Sequence, residues 1–160
     1  MKGLTHIAGA AAAGLTYATA AHLSIPNAII VTAGSMVATL IPDIDICTSK
    51  LGRRIAPASL AIQIFIGHRT MFHAPLLYLV TLWFLAVRFP SFHLLIVAGA
   101  IGTASHLFLD LLNPTGIPLL WPLPKRFRLA SIRSGGILDW VTGSVLTAAG
   151  LAAYLYFCSF

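Results

Sequence analysis

The sequence contains no glutamate, and its four acidic residues, Asp43, Asp45, Asp110 and Asp139, are all aspartate. Charged side chains make up 9% of the 160 residues, against about 25% in soluble proteins. That scarcity excludes an ordinary soluble enzyme and an acidic disordered tail. Cysteine is nearly missing as well, with only Cys47 and Cys158, so no disulfide framework is implied. Ten Lys and Arg bring the net charge to +6. They sit between long apolar stretches, a pattern that suits anionic lipid headgroups rather than nucleic acid.

What is present is mostly hydrocarbon: apolar side chains reach 58% and the mean hydropathy is +0.90. A helix needs roughly 20 apolar residues to cross a hydrocarbon core ~30 Å thick. On that ruler, spans are expected at 7–23, 25–41, 72–89, 92–112 and 137–157. Pro42, Pro90, Pro114 and Pro122 fall between them, where a missing N–H harms no helix interior. The expected fold is an all-α polytopic membrane bundle of about five transmembrane helices, one domain over residues 1–160. Short interfacial segments are expected at 58–66 and 117–128 on the cytoplasmic side. With the N-terminus inside and the C-terminus outside, nine of the ten basic residues fall on the cytoplasmic face and only Arg88 lies outside.

Ionisable groups at membrane depth are expensive and need a partner or a task. On this topology most of them converge at the inner face. His6 opens the first span, Asp43 and Asp45 follow the second, His68 and His73 bracket the start of the third, and His106 and Asp110 end the fourth. His106 and Asp110 are spaced i, i+4 and share one helix face, near enough to hold one cation or to bond each other. His68 and His73, five apart, cannot both face one ion from a continuous helix, so at least one belongs to a loop. The donor set of imidazoles and carboxylates suits Zn²⁺, with Mn²⁺ or Fe²⁺ as alternatives, in one or two sites.

Thr5-His6, Pro42-Asp43-Ile44-Asp45, Gly67-His68-Arg69 with His73, and Ser105-His106-Leu107-Phe108-Leu109-Asp110, trailed by Gly116 and Trp121-Pro122, together resemble the ordered motifs of the predicted inner-membrane-associated, metal-dependent hydrolases of bacteria and archaea. The His-x3-Asp pair is more distantly similar to that of zinc-dependent phospholipase C and the P1-type nucleases. The resemblance implies a hydrolase of the prokaryotic inner membrane with a divalent-metal site acting on a phosphoester. Where that family pattern places Gly, Thr and Ser around the third motif, this chain has Thr70, Phe72 and Ala74.

The expected chemistry is metal-assisted hydrolysis, in which the ion brings water to a pKa near ~7. His6, Asp45, His68, His106 and Asp110 are the expected ligands, with Asp43 as general base or orienting group and His73 as a second-metal ligand or proton carrier. Arg69 is expected to stabilise negative charge on a phosphoryl oxygen. Lys125, Arg126 and Arg128, with Arg133, are expected to draw anionic headgroups of membrane lipids toward the site, or simply to anchor the inner face. A lipid or lipid-linked phosphoester is the natural substrate class at that depth. The rival reading is a metal-ion or proton transporter or channel using the same cluster.

Overall fold

The computed structural model describes residues 1–45, 54, 57 and 71–159. Its described part holds five α-helices: α1 (Gly3–Ala20), α2 (Ile25–Ala38), α3 (Pro75–Arg88), α4 (His93–Leu111) and α5 (Ile137–Cys158). Short 3-10 turns occupy Pro42–Asp45, Met71–His73 and Pro90–Phe92. No strand occurs among the described residues. Ile117 and Phe127 form an isolated antiparallel bridge, exchanging backbone hydrogen bonds of 3.0 and 2.9 Å.

The helices begin where local chemistry allows. Pro26 and Pro75 stand in the first turns of α2 and α3, where a proline N–H would have had no intrahelical partner. The four-residue links 21–24 and 89–92 turn α1 into α2 and α3 into α4 as antiparallel neighbours. α1 lies at the centre and packs on α2, α4 and α5, while α3 packs mainly on α4 and buries no residue fully.

Small residues set how closely these helices approach, as expected where lipid removes the hydrophobic drive between them. A Cβ on Gly102 of α4 would run into the Ser35 carbonyl oxygen of α2 and stand 2.9 Å from the Ala38 Cβ. Gly150 of α5 lies against Ala12 of α1, where an added Cβ would sit 3.4 Å from the Ala12 Cα.

Among the described residues, three segments are long and apolar enough to cross a membrane: Ile25–Ile44, Pro90–Leu111 and Ile137–Cys158. The expected third span is shorter than its apolar run suggested. Residues Met71–His73 form a separate turn, and α3 has 14 residues, or about 21 Å. α1 has the length, but Thr5, His6, Thr16, Tyr17 and Thr19 dilute its apolar character. The expected interfacial segment at 58–66 lies outside the described residues. The one at 117–128 is largely an exposed loop, with Leu120, Trp121 and Leu123 at its surface.

The antiparallel order brings the start of α1, the end of α2, the approach to α3, the end of α4 and the start of α5 to one end of the bundle. His22 and His93 sit at the other end, as does Cys158. The last carbonyls of α4 would have no intrahelical partner. The loop that follows returns to bond them, Leu129 N–H to the Leu111 oxygen at 2.7 Å and Ile132 N–H to the Leu112 oxygen at 2.8 Å.

Candidate metal centre

Asp110 is the hub of the polar end. It sits one turn beyond His106 on α4 and is buried, as are His6, His73 and His106. His6 Nε2 lies 3.4 Å from Asp110 Oδ1, while His73 Nε2 and His106 Nε2 lie 3.4 and 3.5 Å from Oδ2. Asp43, in the turn that ends α2, brings Oδ1 to 3.7 Å from His73 Nε2 and 3.6 Å from His106 Nε2. The Met1 amino group approaches Asp110 Oδ1 at 3.2 Å, and the Asn113 side-chain amide donates to the same oxygen.

The rings are arranged to aim their nitrogens inward. His6 and His106 stack with centroids 4.0 Å apart and planes 14° from parallel, and His73 meets His106 edge-on at 5.5 Å. His106 Nδ1 lies 2.7 Å from the Thr39 carbonyl oxygen. A carbonyl can only accept, so Nδ1 carries a proton there and Nε2 is the nitrogen turned toward the two carboxylates. That Nε2 is buried and makes no hydrogen bond among the described residues.

The spacing fits a divalent ion better than direct bonds. Imidazole–carboxylate distances of 3.4–3.7 Å exceed those of good N–H···O bonds, ~2.7–3.2 Å. Ligand bonds of ~2.0–2.1 Å in a tetrahedron place neighbouring donor atoms about 3.3–3.4 Å apart. Among the described residues, two groups have ligand atoms all within 4.8 Å of one another: His6, His106 and Asp110, and Asp43, His73 and His106. They share His106, a hydrogen-bonded imidazole of the kind that commonly ligates metal. Three nitrogens and two carboxylates without a thiolate fit Zn²⁺, Mn²⁺ or Fe²⁺.

Of the expected site residues, His6, His106 and Asp110 meet as the sequence implies. Asp43 and His73, expected in catalytic roles, stand within the same ring of donors. His68, Arg69 and the side chain of Asp45 lie outside the described residues. Lys125, Arg126 and Arg128 are exposed on the loop that folds back on the end of α4. Asp139, in the first turn of α5, is buried and accepts from Thr5 Oγ1 at 2.8 Å, Lys2 N at 3.0 Å and Gly135 N at 2.7 Å. Sequence reasoning missed Asn113 and Thr39. The i, i+3 spacing of Asp110 and Asn113 was a readable signal, whereas a backbone carbonyl such as Thr39's has none.

The family model described as YdjM inner membrane protein matches residues 1–160. The chain belongs to the YdjM inner membrane protein family. It is 35% identical to protein YvsG of Bacillus subtilis (strain 168) over 160 residues, covering 98% of this chain and 94% of that one. To inner membrane protein YdjM of Escherichia coli (strain K12) it is 34% identical over 99 residues, covering 59% of this chain and 50% of that one. No solved structure matches. YdjM membership, with the apolar helices, makes this an integral inner-membrane protein. The matches carry the inner-membrane part of the resemblance seen in the motifs; they carry neither its hydrolase part nor its likeness to phospholipase C and the P1-type nucleases.

Proposed function

We propose that this YdjM-family protein is a membrane-embedded, metal-dependent hydrolase that cleaves a phosphoester of a lipid or lipid-linked substrate at the cytoplasmic face. The observation that carries the reading is the convergence of His6, Asp43, His73, His106 and Asp110 at one end of an otherwise apolar bundle. Collecting two carboxylates there is costly without compensating positive charge. A divalent ion would supply that charge, together with Lewis acidity toward a phosphoryl oxygen and toward water.

The chain's own groups divide the remaining work. His6, His106 and Asp110 hold the ion, with His73 and Asp43 completing the donor set or serving a second ion. Asp43, whose side chain is 20% exposed while the others are sealed, is the group placed to take a proton from incoming water. Where His73 does not ligate, its Nε2, 3.7 Å from Asp43, passes that proton on. Thr39 and Asn113 orient His106 and Asp110 through their hydrogen bonds. Lys125, Arg126 and Arg128 draw anionic headgroups to the same face, and Arg69 stabilises phosphoryl charge.

The test is elemental analysis of detergent-purified protein, followed by assay against a panel of phospholipids and soluble phosphodiesters. Stoichiometric Zn, Mn or Fe that is lost in His106→Ala and Asp110→Ala, with phosphoester cleavage lost in parallel, is the expected result. Bound metal with no cleavage, and an ion flux in liposomes abolished by His106→Ala, would overturn it in favour of transport. No metal at all would leave only a hydrogen-bonded network.

A further inference from the structure

We propose that the groove between α2, α3 and α4 holds the hydrocarbon tail of a membrane lipid whose phosphate end lies at the His/Asp cluster. The placement of the phosphate rests on the hydrolase reading; the occupancy of the groove by a lipid tail does not.

The groove has a volume of about 1030 Å³, just above the ~300–1,000 Å³ usual for ligand pockets. Ala33 and Val37 form one wall, Leu82 and Leu85 the other, and Ile96 and Gly99 the floor. Gly99 keeps the floor low, since a Cβ there would stand 3.2 Å from Leu82 Cδ2.

One end is lined by close sequence neighbours of the cluster residues. Ile41 lies two residues before Asp43, Phe72 immediately precedes His73, and Thr103 lies about one turn before His106. The other end reaches Phe89 and Phe92, at the far side of the bundle. The groove therefore follows the 14 residues of α3, about 21 Å. Half of a ~30 Å hydrocarbon core is ~15 Å, so a tail from one leaflet fits lengthwise.

The lining selects hydrocarbon over a polar ligand. Of its hydroxyl-bearing residues, Thr103 bonds the Gly99 carbonyl at 2.7 Å and Tyr78 bonds the Phe72 carbonyl at 2.7 Å. With Thr81 as the remaining hydroxyl, a sugar or peptide would leave its polar groups unpaired there, which is costly.

The experiment uses the full chain in phosphatidylcholine vesicles doped with a phosphatidylglycerol that carries a diazirine near the tail's terminal methyl. Photolabelled residues are mapped by mass spectrometry. Labelling concentrated on Leu85, Phe89 and Leu95, in excess of lipid-facing Val145 and Leu151 on α5, is expected. Ala33→Trp and Thr81→Trp, both at exposed positions midway along the groove, should reduce groove labelling severalfold without changing that of α5. Even labelling of groove and α5, or labelling indifferent to both tryptophans, overturns the proposal. His106→Ala should leave groove labelling intact, so a failed metal or hydrolase reading is told apart from an empty groove.

Discussion

The Nδ1–H of His106 on α4 is held by the carbonyl oxygen of Thr39, 2.7 Å away at the end of α2. This bond joins the two helices beside their close approach at Gly102 and sets which nitrogen of His106 faces the carboxylates. Gly102 makes the approach feasible, since a Cβ there would overlap Ser35's carbonyl oxygen and stand 2.9 Å from Thr39 N. Gly102→Ala is expected to destabilise the fold by about 1–3 kcal/mol through overpacking. It should also weaken divalent-metal affinity by ~10–100-fold as the orienting bond is lost. Thermal unfolding in detergent and a zinc titration read the two effects separately.

Asp139 ties the start of α5 to the start of α1 through Thr5 and the Lys2 backbone, one residue before the His6 ligand candidate. Asp139→Ala leaves three donors without their acceptor, and the hydrogen bonds it removes are to a charged group, worth ~1.5–3 kcal/mol each. A loss of at least ~2 kcal/mol is expected, while Thr5→Val, which removes one bond, should cost less. Metal affinity should fall in Asp139→Ala more than in a core variant of equal instability, because His6 loses its anchored first turn. Equal metal affinity in the two would reduce Asp139 to a purely structural tie.

Metal occupancy should fall as the medium is acidified. Imidazole ligates only in its neutral form, so protons compete with the ion for His6, His73 and His106, and binding releases protons. The sign is fixed by that competition: affinity rises with pH for as long as protons compete for the imidazoles, and levels off once they no longer do. Zinc titrations at several pH values should give a dependence steeper than one proton. A flat profile would remove the imidazoles from the donor set.

Met1 and Cys158 lie at opposite ends of the bundle, as the order of five antiparallel helices requires. With the basic loop of Lys125, Arg126, Arg128 and Arg133 at the Met1 end, we propose from the positive-inside rule that this end faces the cytoplasm. An alkaline phosphatase fused after residue 160 should therefore be active, and a fluorescent protein fused there dark. The reverse result would move the site to the outer face and remove the basic loop from any role in topology.

Much of the site was legible because its residues are so rare here. In a chain with four carboxylates and 9% charge, each His or Asp at the end of an apolar run stands out, and the i, i+4 spacing of His106 and Asp110 follows from helix geometry alone. His73 was harder to place, since its distance from His68 argued only for a loop. The structure puts it in a 3-10 turn that carries Nε2 to within 3.4 Å of Asp110.

Composition and period alone determined that this protein is a helical membrane bundle with its polar groups gathered at one end, because apolar run length and helix repeat are properties of the chain itself. The tertiary structure decided which of those groups meet: His106 shared between two sets of donors, Asp43 and His73 drawn into one ring with them, and Asp139 used as a tie rather than a ligand. Those outcomes depend on how closely α2 and α4 approach across Gly102 and on which backbone carbonyl each imidazole finds. Both are contacts between residues far apart in the chain, and no local pattern records them.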